Sequence, residues 1–378
     1  MKIGIVVHGT ELLDSGRARE FLTLLSGENR IRTCVCGTMG KIAAMDAGLE
    51  GEIDLGQHLK PSASIEAFFE TEDLVCLLNH GKELDSGRAF GRIVVSHLEN
   101  SEAKPLLQVE RPGFSDGQVI PWNREAYGHA EKLAGLLGLK VASPPDPVRS
   151  LEVTDNGKRV LRRLSTRPGS CIMVNGIVVG KATSPDVALI SENGFLILME
   201  GGDIKKEGLL TLHEHEKRVP VDLAHAWVKT GKLWREKSRD KRPSCSNSCW
   251  EKALPGKKGR AVIIDHCAER SLELIEGASF AVTVGDDTTE IAGDILSRFG
   301  IPIIGITDGD CDELAVSAAY SPGSVVLLLK PGLDDEFGRR VKKELFSGKE
   351  TAFFESLESL RQAVIKLAPP SLESFSEY

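Results

Sequence analysis

The sequence predicts an α/β protein in which two doubly wound parallel-sheet domains are joined by a small hairpin-rich α+β segment, and three observations carry that prediction. Strand-length apolar runs alternate with helical patterns in residues 1–147, and the same alternation returns in residues 261–368. The runs are apolar on both faces, as strands must be in a parallel sheet covered by helices. Between the two regions, Asn175-Gly176 and Asn193-Gly194 each separate a pair of β-rich runs. Asn-Gly supplies the positive φ angles that a two-residue hairpin needs.

In the first domain, residues 1–147, the expected order is Ile3–Val7, a helix from Ser15 to Leu25, Ile31–Cys36, a helix from Gly37 to Gly48, and Leu74–Leu78. Leu106–Val109 and a helix over Glu125–Leu137 follow, and Pro144-Pro145-Asp146-Pro147 closes the domain. Proline-rich stretches of this kind punctuate domains.

The middle segment, 148–231, contains the hairpins Cys171–Val174 with Ile177–Lys181 and Val187–Ser191 with Phe195–Met199, and then a helix expected over Val221–Thr230. Residues 232–260 hold ten Lys or Arg against three acids, which leaves −15 for the rest of a chain of net charge −8. Such a run reads as a solvated linker, with RNA as the alternative partner, since Trp234 and Trp250 are available for stacking.

The second doubly wound domain, 261–368, is expected to run through strands Ala261–Asp265, Phe280–Val284, Ile301–Ile306 and Val325–Leu329 with helices between them. Its last helices fall near Asp334–Phe346 and Phe353–Leu367, and residues 369–378 form a loose tail. No run approaches the roughly eighteen apolar residues of a membrane helix. Eight cysteines in 378 residues are too few for a disulfide scaffold. Together with an N-terminus lacking a signal-like apolar stretch, they point to a reducing cytoplasmic setting.

An internal repeat marks the first domain. His8-Gly9-Thr10-Glu11-Leu12-Leu13-Asp14-Ser15-Gly16-Arg17-Ala18 recurs as His80-Gly81-Lys82-Glu83-Leu84-Asp85-Ser86-Gly87-Arg88-Ala89, one residue shorter. Each copy follows a strand and opens a helix, where free N–H groups attract anions. Ser15 and Ser86 are candidate caps and anion contacts, and Arg17 and Arg88 add forked donors. His8 and His80 are candidates for acid–base chemistry near neutral pH. Gly37-Thr38-Met39-Gly40-Lys41 has the small residues of a phosphate loop but neither the P-loop nor the dinucleotide spacing, so helix–strand packing accounts for it.

Three successive strands of the C-terminal domain end in acids: Asp265 before His266-Cys267, then Gly285-Asp286-Asp287-Thr288-Thr289, then Thr307-Asp308-Gly309-Asp310. Ligands of parallel sheets lie beyond the strands' carboxyl ends. Carboxylates brought there from separate strands suit Mg²⁺, so Asp286, Asp308 and Asp310 are candidate metal ligands, and Asp265 is a candidate catalytic carboxylate. Thr288 and Thr289 open the next helix as candidate phosphate contacts. Asp334-Asp335-Glu336 adds acidity at the same edge, and first-turn acids in a helix dipole explain it. Cys34-Val35-Cys36 and Cys245-Ser246-Asn247-Ser248-Cys249 do not have zinc-ribbon spacing and read as free thiols.

His8 to Ala18, Gly37-Thr38-Met39-Gly40 through Glu50, Gly201-Gly202-Asp203-Ile204-Lys205, and above all Val284–Asp310 carry a family resemblance. The chain resembles a group of archaeal proteins, found largely in methanogens and grouped as a domain of unknown function. That resemblance implies an archaeal cytoplasm and transfers no activity, cofactor or catalytic residue. A histidine is expected before Gly208, where this chain has Glu207.

The residues point to a Mg²⁺-dependent enzyme acting on a phosphorylated metabolite or nucleotide. Asp286 and Asp308 would hold the ion and Arg17 or Arg88 the anion. The alternatives are a non-catalytic sensor closing around a small molecule, since neither a nucleophile elbow nor His-Glu-x-x-His is present, and an RNA-associated protein using the basic stretch.

Overall fold

The structure, a computed structural model, describes residues 1–57, 59–145, 151–166, 168–214, 217–231, 259–309 and 320–378. The chain divides into two compact units, Met1–Arg149 and Ser150–Tyr378, so the hairpin segment and the C-terminal sheet share one unit.

The N-terminal unit is built on strands β1 (Lys2–His8), β2 (Arg30–Val35), β3 (Leu74–Asn79), β4 (Leu106–Glu110), β5 (Gln118–Pro121) and β6 (Lys140–Val141), in the order β2-β1-β3-β4-β5-β6. The first four are parallel, as their two-sided apolar character requires, and β5 is antiparallel to β4. After β1 the chain steps to β2 on one side. It then crosses back to β3 on the other side, so the strand order reverses between β1 and β3.

Helices α1 (Glu11–Asp14), α2 (Arg17–Ser26), α3 (Thr38–Asp46), α4 (Pro61–Thr71), α5 (Leu84–Ser96) and α6 (Tyr127–Leu137) make the connections. The expected helix at Ser15 is two pieces. The residue that makes the first copy of the repeat longer is absorbed at Ser15-Gly16, where Gly16 takes φ 77° and ends α1 before α2 begins. The second copy runs straight into α5. Helix α4, which was not anticipated, buries Ile65, Phe68 and Phe69 in the core.

In the second unit, β7 (Leu151–Thr154), β8 (Arg159–Ser165), β11 (Asp186–Glu192) and β12 (Phe195–Glu200) form one antiparallel sheet, ordered β12-β11-β8-β7. Strands β9 (Cys171–Val174), β10 (Ile177–Ala182), β13 (Gly202–Ile204) and β14 (Val228–Gly231) form another, ordered β13-β10-β9-β14. Both Asn-Gly hairpins are present, with φ 52° and 86° at Asn175 and Gly176, and 51° and 81° at Asn193 and Gly194. Helix α7 (Lys206–Leu212) packs on β10.

The helix expected over Val221–Thr230 is not formed. Its end is strand β14, because the Asn175 side chain accepts the Trp227 N–H at 3.0 Å and the backbone then pairs with β9. The basic stretch 232–258, including Trp234, Trp250, Cys245 and Cys249, lies outside the described residues.

The C-terminal sheet comprises β15 (Arg260–Asp265), β16 (Phe280–Val284), β17 (Ile303–Thr307), β18 (Val325–Leu329), β19 (Thr351–Phe353) and β20 (Leu372–Glu377), ordered β19-β15-β16-β17-β18-β20. The four central strands are parallel and both edges antiparallel. The tail expected to be loose is therefore mostly strand β20, hydrogen-bonded to β18, and the expected helix Phe353–Leu367 is the end of β19 followed by a shorter helix.

Its helices are α8 (Ser271–Leu274), α9 (Asp286–Ser297), α10 (Asp334–Leu345) and α11 (Leu357–Leu367). Neighbouring strand residues point to opposite faces. Thr283 bonds Thr289 of α9 while Val284 meets Gly338 of α10, so these two helices cover opposite faces. Both nevertheless begin at the same edge, where the parallel strands end. Among the described residues no helix is long and apolar enough to cross a membrane.

Candidate functional site

Each parallel strand of the C-terminal sheet hands an acid to one edge. Asp265 ends β15, Asp286 opens α9 two residues after β16, Asp308 follows β17, and Asp334 opens α10 beyond β18. Asp286, Asp308 and Asp334 each offer a carboxylate oxygen, and these oxygens lie within 4.8 Å of one another. Among the described residues this is the one converging group of three or more potential metal ligands. Asp308 is only 2% exposed and Asp334 8%.

Backbone donors aim the carboxylates. The N–H groups of Asp308 and Gly309 donate to Asp286 at 3.0 and 3.2 Å, Gly332 N–H donates to Asp308, and Asp335 N–H donates to Asp334 at 2.7 Å. A carboxylate has about four lone-pair sites, so each keeps acceptors for an ion. The electrostatic signature is mutual discomfort. Burial, and then the charge of Asp308, pushes the Asp334 carboxyl up to about 7, with His266 opposing. Burial and Asp308 also raise Asp286, against its backbone donors.

His266 is the counterweight, with Nδ1 2.8 Å from Asp265 and Nε2 3.3 Å from Asp335. Burial works against its charge, but the Asp265 hydrogen bond and both carboxylates outweigh that and raise its pKa. Asp265 is thus tied to His266, which joins it to the acidic edge.

A cleft opens beside this edge within the same unit, lined by Gly176, Val178 and Lys205 of the antiparallel segment and by His266, Asp287 and Thr288. Lys205 Nζ stands 3.4 Å from Asp287. Thr288 therefore faces the cleft, whereas Thr289 is buried against Thr283, their hydroxyls 2.8 Å apart. Asp310 lies outside the described residues.

The duplicated loops belong to the N-terminal unit, where β1 and β3 are neighbours and His8 pairs with Asn79. His8 Nδ1 lies 2.7 Å from Asn79 Oδ1, and its ring stacks on Phe90 at 3.9 Å. His80 meets Phe114 edge-on at 4.8 Å. The nominated anion contacts have protein partners: Arg17 pairs with Glu20 at 2.7 Å, and Arg88 donates to Gln118 and to the Ser143 carbonyl. Ser15 donates to the Glu11 carbonyl.

Ser86 belongs to a capping box with Glu83, which rather than Asp85 or Ser86 is the N-cap of α5. Ser86→Ala is accordingly expected to lower the stability of this unit by about 1 kcal/mol in urea unfolding. The small-residue loop at Gly37 behaves as packing: a Cβ on Gly40 would sit 2.9 Å from Val35. Cys34 and Cys36 are buried thiols outside any disulfide, Cys36 lies 3.6 Å from Ser64, and the Cys36 hydrogen bond together with burial raises the Cys34 thiol.

In the sequence Asp334 is accounted for by a helix dipole, and Lys205, Asn79 and Glu110 carry no signal of a site. Lys205 lies between β13 and α7, and only the fold carries it to the cleft.

Residues 5–349 match a family model described as "Uncharacterized protein conserved in archaea (DUF2117)". Over 367 residues the chain is 39% identical to "Uncharacterized protein MJ0065" of Methanocaldococcus jannaschii, covering 96% of each sequence. No solved structure matches.

Proposed function

We propose, from the premise that this chain belongs to the uncharacterised archaeal family DUF2117, that its C-terminal sheet edge is a Mg²⁺ centre serving a phosphorylated metabolite or nucleotide. The observation that carries the reading is the convergence of Asp286, Asp308 and Asp334, three buried or half-buried carboxylates with ligand atoms within 4.8 Å. Such a group is costly without a cation, since like charges in a poorly solvated site disfavour joint ionisation. Hard oxygen donors suit Mg²⁺, which takes few carboxylates and completes its shell with water or phosphate oxygens.

When bound, the ion would neutralise charge developing on phosphate oxygens. The chain's own residues divide the remaining work. Asp308 and Asp334 fix the ion's position, and Asp286 holds the β17 loop while facing the same centre. Lys205 offers an ammonium group in the adjoining cleft, against Asp287 until an anion competes for it.

Calorimetric titration of Mg²⁺ into the full chain tests the centre. Binding is expected for the wild type and lost in Asp308→Asn; a variant that binds as the parent does removes the proposal. Lys205→Ala is expected to leave Mg²⁺ binding intact but to weaken pyrophosphate binding in its presence by about tenfold, as loss of a charged hydrogen bond should. Equal pyrophosphate affinity in the two proteins would exclude Lys205 from the anion site.

A further inference from the structure

The second unit holds two parts, the antiparallel sheets of β7–β14 and the C-terminal sheet of β15–β20, and the cleft beside the acidic edge lies between them. Among the described residues, no strand or helix of one part packs broadly on an element of the other. Parts of a chain move relative to one another unless their interface is large and apolar.

Two ion pairs cross from one part to the other. Lys205 Nζ lies 3.4 Å from Asp287 at the start of α9, and Lys229 of β14 pairs with Glu269, which lines the cleft. The four side chains are between 14% and 30% exposed. Ion pairs drawn this far out of water gain little net, because desolvation offsets attraction, so they fix the register of the two parts without locking them.

Backbone geometry mounts Lys205 at this place. Strand β10 has a bulge between Val178 and Gly180, and the carbonyl of the extra residue, Val179, accepts the Lys205 N–H at 2.9 Å. Helix α7 then runs so close to β10 that a Cβ on Gly208 would stand 1.8 Å from the Val178 carbonyl oxygen. Bulges of this kind re-aim side chains next to functional sites. Another lining residue, His266, takes φ 51°, a left-handed conformation that strains a residue with a side chain and recurs at ligand clamps.

The cleft is too small for the ligand its surroundings suit. Its volume is about 30 Å³, and one water needs about 10–15 Å³, so it holds about two waters. A phosphate group, with four oxygens around phosphorus, enters only when the walls part.

We infer that the antiparallel sheets form a clamp beside the Mg²⁺ centre, held shut by Lys205–Asp287 and Lys229–Glu269, which opens to take a phosphate of the centre's ligand between Lys205 and Lys229. This rests on the reading of the acidic edge as that centre. Lys229 becomes a second anion contact. Asp287 and Glu269 become competitors of the ligand, since each holds a lysine that the phosphate must draw away.

Dyes attached through unnatural side chains at exposed Glu192 of β11 and exposed Lys343 of α10 report the separation of the two parts in the full chain. Without ligand, the parent is expected to show one short distance. Glu269→Gln and Lys229→Ala are each expected to raise the open fraction by about tenfold, as loss of a partly buried pair should. Pyrophosphate titrated at saturating Mg²⁺ then separates the variants. Glu269→Gln frees the Lys229 charge and the clamp together, and is expected to bind about tenfold more tightly. Lys229→Ala loses a charged contact and is expected to bind about tenfold more weakly. A pair that merely tied two surfaces together would shift both variants in the same direction.

Ligand-free distances in Glu269→Gln equal to the parent's, or affinities that move the same way in both variants, would overturn the clamp. So would a parent that binds pyrophosphate with no change in dye separation, a result that stands even if the variants fail to fold. Failure of Mg²⁺ to bind removes the centre alone, because the ligand-free distances still decide whether these pairs hold the cleft shut.

Discussion

Asparagine in place of Asp334 is expected to stabilise the cation-free protein at about pH 8 and, in the same variant, to abolish its response to Mg²⁺. The first half follows from the Asp334 carboxyl, raised from 3.8 to about 7 by burial and by Asp308. Below the unfolded value the group is protonated in both states and costs nothing. As pH rises towards the folded value, the unfolded chain releases a proton that the folded one keeps, so stability falls across roughly pH 4 to 7. At about 1.4 kcal/mol per unit, the full shift corresponds to an upper bound on the order of 4 kcal/mol.

His266, also raised, acts in the same sense at higher pH, because its bound proton stabilises the fold until pH passes its folded value. Asp286 and Glu290, both raised by burial first, add to the same slope. The comparison with Asp334→Asn isolates one contribution, since the amide keeps the shape and an oxygen for the Asp335 N–H. Amide exchange in β16 and β17 gives the free energy of this sheet directly.

The second half has the opposite sign. Mg²⁺ at a hundred times its dissociation constant should stabilise the wild type by about 2.7 kcal/mol. Affinity should rise with pH as Asp334 gives up its proton. The variant lacks one of the two carboxylates, Asp308 and Asp334, that fix the ion's position. If it is less stable than the parent without cation, the mutual repulsion assigned to this edge is wrong.

Asp286 and Asp308 were legible in the sequence because each sits directly at the end of an unmistakable apolar strand. Asp334 was not, because an acidic first turn is sufficiently explained by the helix dipole. Only the order β16-β17-β18 brings the start of α10 beside Asp308. Glu110 was hidden in the same way, as the last residue of an ordinary strand, Leu106–Glu110, until sheet order set it beside Asn79.

The fold shows the same division between local and borrowed information. Both Asn-Gly turns could be read because their backbone angles are a property of those two residues. Val228–Gly231 could not, because its strand character comes from β9 and from the Asn175 side chain, more than fifty residues away.

The same reasoning makes the C-terminal strand a sharp test. A chain ending at Pro370, without Leu372–Glu377, is expected to fold less stably and to aggregate. Packing alone argues otherwise, since every residue of β20 after Leu372 is exposed and little apolar surface is lost with it. The ladder argues for a modest loss. Net hydrogen bonds of about 1 kcal/mol each are offset by the entropy of ordering the segment, at about 1–2 kcal/mol per residue. The ends add to the ladder: Tyr378 exchanges backbone hydrogen bonds with Gly323 and Ser324 at 2.7 and 3.0 Å, and Arg361 pairs with Glu377.

What decides the outcome is the surface uncovered. Strand β18 reads Val325-Val326-Leu327-Leu328-Leu329, and without β20 its backbone groups become an open apolar edge, the arrangement that templates association between chains. Light scattering on heating should therefore separate the truncated chain from the parent more strongly than the unfolding midpoint does. A truncated protein that stays monomeric through the same heating would show that β20 is dispensable cover.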